Sequence, residues 1–222
     1  EKLTESSPRF IMKYTLSFVA CLLVSHVLFA DTSLKVWETH SPREEISPKF
    51  EHQNGVFEID ANGRKGAVGQ WQAHFQVKGG KYYRFSAIRK TWDIDIQNVH
   101  RHIVERLIWL DAAGNKVQRD EPTYSSYRPG TAPRAEPEFP RTTGAMTRGG
   151  WVEVLDIFRA PKAATQVKVE LFLRWLDDGR VSWRHVSIKP VAEPKPRKVR
   201  LATTHFKPRA GKTNAEKCRL FE

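Results

Sequence analysis

Val68-Gly-Gln-Trp71-Gln-Ala73-His-Phe75-Gln-Val77 sets Trp71, Ala73, Phe75 and Val77 at every second position, with mostly polar residues between them. Successive side chains leave a strand on opposite sides, so this alternation belongs to a strand with one face in a core. Gly79-Gly80 follows as a two-residue turn signal, and Lys81-Tyr-Tyr-Arg-Phe-Ser-Ala-Ile-Arg-Lys90 reads as the returning strand. The pattern predicts a β-hairpin.

The same reading extends in both directions. Val56–Asp60, Ile103–Asp111, Trp151–Phe158, Gln166–Trp175 and Arg180–Ile188 are further predicted strands, and Ala112-Ala-Gly114-Asn115 and Asp177-Asp-Gly179 are turns between them. Leu171-Phe-Leu-Arg-Trp-Leu176 is nearly continuous in apolar residues, which predicts a central strand covered on both faces. Helical periodicity is absent between Leu34 and Lys189. The fold class is therefore mainly β, an antiparallel β-sandwich of jelly-roll type over residues 31–189. One long segment, Gln118 to Gly150, carries five prolines together with Tyr124, Tyr127 and Phe139. Segments of this kind are functional or disordered.

The 222 residues include 37 Lys+Arg and 25 Asp+Glu, a net charge of +12. Nine Lys/Arg against three acids fall in 193–222, so half of the excess lies beyond the sandwich. The sandwich itself is only mildly basic and shows no basic stripe interleaved with aromatics, which argues against a nucleic-acid partner. Two cysteines, Cys21 and Cys218, exclude a disulfide framework and a multi-cysteine zinc site.

The two ends read differently. Met12-Lys13 precedes an apolar run from Tyr14 to Ala30, the layout of a signal peptide over 12–30. Residues 1–11 are then an upstream extension, and the mature protein is exported, without stable membrane insertion after cleavage. Lys189-Pro-Val-Ala-Glu-Pro-Lys-Pro-Arg197 supplies a proline-rich linker over 190–197. Val199-Arg-Leu-Ala-Thr-Thr-His-Phe206 reads as a new strand, and Asn214 to Glu222 begins an amphipathic helix capped by Thr213 or Asn214.

Among candidate sites, Trp71, Trp109 and Trp175 have apolar neighbours at period two and are assigned to the core. Trp92 at a strand end, Arg89 just before it, and Tyr124 and Tyr127 in the long segment are the candidate ligand-binding residues. Sugar rings stack their C–H faces on aromatics while their hydroxyls need fixed polar partners. The competing reading packs these rings between the long segment and the sandwich. Asp93-Ile-Asp95 and His100-Arg-His102 place like ligands on shared faces, but no third spaced ligand accompanies them, and no metal is assigned. No nucleophile elbow, Gly-rich phosphate loop or metalloprotease helix is present, and no cofactor is implied. Cys218 with His205 is assigned to packing rather than to nucleophilic chemistry.

The tail Lys198-Val-Arg-Leu-Ala-Thr-Thr-His-Phe-Lys-Pro-Arg-Ala-Gly-Lys-Thr-Asn-Ala-Glu-Lys-Cys-Arg-Leu-Phe221 resembles the opening strand and helix of a carbon–nitrogen hydrolase (nitrilase superfamily) domain, so 198–222 is expected to be the truncated start of an α-β-β-α domain. Val77-Lys-Gly-Gly-Lys-Tyr-Tyr-Arg-Phe-Ser-Ala87 is similar to the central hairpin of carbohydrate-binding jelly rolls. The resemblance implies an exported amidase- or nitrilase-like parent using a Glu, a Lys and a Cys, with the sandwich as an accessory module. Those catalytic residues fall beyond the first helix, so none is present, Cys218 is not the nucleophile, and this chain is expected to be inactive. The partner would be a carbohydrate or a small amide. The alternative is a non-catalytic carbohydrate- or surface-binding β-sandwich.

Overall fold

A computed structural model describes residues 36–95, 97–147, 149–196, 199–200 and 210–220. The strands in chain order are β1 (Glu38–His40), β2 (Lys49–Gln53), β3 (Val56–Asp60), β4 (Ala67–Gln76), β5 (Tyr82–Trp92), β6 (Ile103–Leu110), β7 (Arg141–Met146), β8 (Val152–Arg159), β9 (Gln166–Leu176) and β10 (Arg180–Val191). Among the described residues there are two short helices, α1 (Val99–His102) and α2 (Asn214–Arg219), with 3₁₀ turns at Glu44–Ile46 and Tyr124–Tyr127. The strands form a four-stranded sheet in the order β1-β4-β9-β6 and a six-stranded sheet in the order β2-β3-β10-β5-β8-β7. Every pairing is antiparallel.

Alternation decides what enters the core. Trp71, Ala73 and Phe75 from β4, Val167, Val169, Leu171 and Leu173 from β9, and Ile103, Leu107 and Trp109 from β6 are buried on the inner face of the smaller sheet. Phe57, Ile59, Phe85, Ala87, Val154, Val181 and Trp183 are buried from the larger one, and all belong to one cluster. Each fully buried Leu or Val is worth about 1.5–3 kcal/mol of transfer free energy, so a core of this size holds the sheets together without a disulfide.

The structure corrects three expectations. β4 and β5 are not a hairpin: they lie in opposite sheets, β4 between β1 and β9, β5 between β10 and β8. The Gly79-Gly80 segment crosses from one sheet to the other, and its hydrogen bonds go to the β8–β9 connection. Val77 N donates to Thr165 O at 2.9 Å and Gly80 N to Ala160 O at 2.8 Å. Gly79 is required by that close approach, because a Cβ there would sit 2.1 Å from the Lys162 carbonyl oxygen. Two crossings thus brace each other, where a two-residue turn would have paired the strands directly.

Trp175 is not in the core. It is 66% exposed with φ +59°, and it sits at a register shift in which Ala67 faces Leu176 and Val68 faces Arg174. Trp175 is therefore the extra residue of a β-bulge, which drops out of the alternation. Phe172 on the same strand is only partly buried and lies under the Arg106 guanidinium at 4.5 Å. β9 is central, but just one of its faces meets the core.

The long segment 118–150 is largely ordered. Arg119 binds Glu138 at 2.8 Å and Glu136 at 3.3 Å, Ser125 N donates to Glu136 at 2.9 Å, and Arg141–Met146 becomes the edge strand β7. Its alternation is too polar to have announced a strand. The predicted signal peptide lies outside the described residues, as does nearly all of the predicted strand 199–206. β10 continues to Val191, into the start of the expected linker. In α2 the Thr213 hydroxyl accepts from Glu216 N at 3.2 Å, confirming Thr213 as the cap, and Cys218 is exposed.

Candidate functional site: a pocket between the sheet edges

β6 and β7 are the edges of their sheets, and the chain between them closes the gap over a pocket. Glu138 exchanges two backbone hydrogen bonds of 2.9 Å with Leu107, so the segment first lies along the edge of the smaller sheet. Three residues later it enters the larger sheet, with Arg141 opposite Leu155. Phe139 and Pro140 span the crossing. Beneath them is a cavity of about 480 Å³ whose walls include Val99, Ile103, Phe139 and Pro140.

Its floor is charged. Arg89 from β5 and Glu105 from β6 occupy inward positions in otherwise apolar rows, Phe85–Ala87–Arg89 and Ile103–Glu105–Leu107. Only 6% of Arg89 and 5% of Glu105 is exposed. Arg89 Nη1 lies 3.0 Å from Glu105 Oε1 and 3.1 Å from Oε2, and Trp183 Nε1 donates to Oε1 at 2.7 Å. A buried charge persists only with a partner and further hydrogen bonds, and this pair has both. His100 of α1, Arg141 of β7 and Arg174 of β9 also line the cavity. The arrangement offers charged donors at fixed positions, one carboxylate already engaged, and an apolar ring at the rim.

The structure does not bring the four sequence-derived residues together. Arg89 is at the pocket floor, facing inward. Trp92 lies on the outer face of the larger sheet, its ring 6.5 Å from that of Trp151 and nearly perpendicular to it. Arg180 stands over Trp92 at 4.4 Å, Lys90 over it at 4.8 Å, and Arg184 over Trp151 at 4.2 Å. Cations already occupy these rings, a packing each worth about 0.5–1 kcal/mol at exposed sites. Tyr124 and Tyr127 are exposed on the 3₁₀ turn, where Tyr124 borders a separate hollow of about 190 Å³ with Arg128 and Arg134.

Glu105 and Arg174 are additions that the sequence reading did not make; His100 was considered there only as a metal ligand, and Phe139 only as part of the long segment. One signal was available for the pair: a lone acid and a lone base at inward positions of two strands. Among the described residues no group of three or more His, Cys, Asp or Glu could hold a metal ion. Asp95 instead accepts from Gln97 N at 2.9 Å and from Asn98 Nδ2 at 2.6 Å, closing a turn, and those bonds hold its carboxyl below the ordinary range. His102 Nδ1 lies 3.1 Å from the Arg174 carbonyl oxygen. Among the described residues no helix is long and apolar enough to cross a membrane.

No family model matches the chain, and no curated protein matches it. Solved structures do. The enzymatically active domain of bacteriophage CBA120 tailspike protein 4 is 11% identical at a TM-score of 0.42, over 71% of this chain and 18% of that one. A protein described as CBM4 is 12% identical at 0.39, over 70% of this chain and 86% of that one. The CBM22-1–GH10 modules of Clostridium thermocellum endo-1,4-beta-D-xylanase 10B, complexed with xylohexaose, are 15% identical at 0.39, over 75% and 27%. The chain thus spans less than a fifth of the tailspike domain and about a quarter of the xylanase modules. Overlaps this loose leave the fold to be defined by the two sheets and their strand order.

Proposed function

We propose that the sandwich is a non-catalytic binding module that takes a saccharide in the pocket between β6 and β7. One observation carries the reading: a guanidinium and a carboxylate, both buried, are held at the floor of a cavity rimmed by the 55%-exposed Phe139 ring. A pyranose needs an apolar surface for its C–H face and fixed polar groups for its hydroxyls, and the pocket supplies both. Its volume falls within the range of small-ligand sites, about 300–1,000 Å³. Hydrolysis of a glycosidic bond ordinarily takes two carboxylates flanking it. Glu105 is the one acid among the lining residues, and Arg89 and Trp183 already bind it.

A glycan array probed with the full chain, followed by titration of Phe139→Ala, tests the reading. Retention on a glycan that weakens by about two- to tenfold in the variant is expected, from the worth of about 0.5–1.5 kcal/mol of an aromatic contact. No retention on any glycan, or equal affinity in the variant, overturns it.

A second reading keeps the carbon–nitrogen hydrolase parent, with this sandwich as its accessory module. The observation that favours it is α2, a helix that starts at Asn214, where the resemblance implies an opening helix. The gene downstream of Glu222 decides it. A strand ending in Pro-Glu is expected, and a stop codon directly after Glu222 sinks it.

A further inference from the structure

Arg89 makes both of its contacts with Glu105 through a single nitrogen, Nη1. Nε and Nη2, the side-on edge of the guanidinium, have no hydrogen-bond partner among the described residues. Neither is among the described side-chain atoms that are sealed from solvent without a hydrogen bond of normal geometry. The Arg89 side chain is 8% exposed, and that residual access is to the pocket it lines. A charged fork with two parallel N–H donors is therefore buried, fixed by Glu105, and open on its free edge to a cavity.

The surroundings add charge of the same sign. Arg141 and Arg174 share the lining with Arg89, against Glu105 alone. Arg174 commits Nε to the Arg101 carbonyl at 2.8 Å, and its guanidinium has no other hydrogen-bond partner among the described residues. Arg141 reaches Asp156 at 3.5 Å and is 88% exposed in its side chain. With the Arg89–Glu105 pair neutral overall and Arg141 facing Asp156, Arg174 remains as a lining cation with no carboxylate partner among the described residues. A hydroxyl would take one donor from Arg89 and leave that field unanswered. A carboxylate fits the fork bidentately, and charge-assisted bonds are about twice as strong as neutral ones.

We propose that the pocket selects an acidic saccharide, a uronate whose carboxylate is received by the Nε–Nη2 edge of Arg89 while Phe139 covers a face of the ring. This rests on the saccharide reading above and goes beyond it in the ligand's charge.

Calorimetric titration of the full chain with three probes separates the two claims: trigalacturonate, its methyl ester, and benzoate. The free acid is expected to bind about tenfold or more tightly than the ester, by the strength of hydrogen bonds to charged groups. The advantage should shrink with added salt. Arg89→Lys retains a cation for Glu105 but lacks the fork, so it should lose most of the preference with its melting transition retained. Should it unfold, the exposed Arg141→Gln gives the same readout, a weaker preference for the acid. Equal binding of acid and ester overturns the uronate inference and leaves the saccharide reading standing. Binding of benzoate with neither sugar bound overturns the saccharide and retains the carboxylate fork. No binding of any probe overturns both.

Discussion

Among the described residues Glu105 and Glu170 are the two most deeply buried glutamates, and they are buried in opposite ways. Glu170, at the centre of β9, is 1% exposed, yet it belongs to the outer row of the smaller sheet, paired across to Gln72 on one side and Arg106 on the other. Arg106 and Lys168 ion-pair with it, Lys168 at 2.8 Å, and Gln70 Nε2 donates at 3.1 Å. Its neighbours fold over it and use up its acceptors, and it lines none of the cavities described above. Glu105 lies between the sheets, takes one cation and one indole N–H, and leaves that cation with donors to spare above a cavity. Burial of a carboxylate marks only the presence of partners. What marks a site is a partner with unspent donors facing open space.

The comparison fails first, and by most, if the cost of removing each carboxylate runs the wrong way. In Glu105→Ala the Arg89 guanidinium, 8% exposed, loses its counter-charge and can be hydrated only through the pocket it lines. Removing one member of a buried pair costs about 3–5 kcal/mol. Urea denaturation should show that loss as a lower midpoint with an unchanged slope.

Glu170→Ala should cost less, about 1–3 kcal/mol, the penalty of unsatisfied polar groups rather than of a trapped ion. Its cations are 32% and 23% exposed and need only swing outward to be hydrated. A larger loss here than in Glu105→Ala would mean that the outer network, rather than the inter-sheet pair, is the sealed one.

The strands were legible in the sequence because period-two alternation is a local property. Val56–Asp60 matches residue for residue, and β6, β8 and β9 agree to within a residue or so at each end. Pairing was not legible. Gly79-Gly80 carries the letters of a hairpin turn, but a glycine is equally demanded where backbone approaches backbone, and the Lys162 carbonyl that demands it lies far along the chain. Trp175 failed for a related reason, since a bulge shifts the alternation by one residue and depends on the register with β4.

The site was half legible. Arg89 was found by its proximity in sequence to Trp92, yet adjacent strand positions of odd separation point to opposite faces, and the two residues ended on different sides of the sheet. Glu105 was hidden among the polar letters of a strand whose inward row could be read from Ile103, Leu107 and Trp109. Phe139 acquires its position at the rim from the Glu138–Leu107 bridge, a contact between residues that no local pattern links.

Acid titration is the smallest and finest way to test the two-glutamate contrast, because it removes one charge without removing a side chain. Burial pushes the Glu170 carboxyl upward, but the hydrogen bonds and charges of Arg106 and Lys168 outweigh it, and the group is held below its ordinary value of 4.5. A carboxylate with a depressed folded pKa contributes stability that is fully present above the unfolded value and is lost as pH falls through the folded one. Glu138 has the opposite sign. Burial raises it more than Arg119 lowers it, so its contribution appears as pH falls through its raised value toward 4.5. Wild type and Glu170→Gln share Glu138, so their difference in stability isolates Glu170. That difference should be constant from pH 7 to about 5 and close progressively below about 4.5, with the closure bounded by the neutral-pH gap itself. A gap unchanged down to about pH 3 would show that Glu170 draws little from its charge. It would then be a neutral hydrogen-bonding hub, and its contrast with Glu105 would rest on geometry alone.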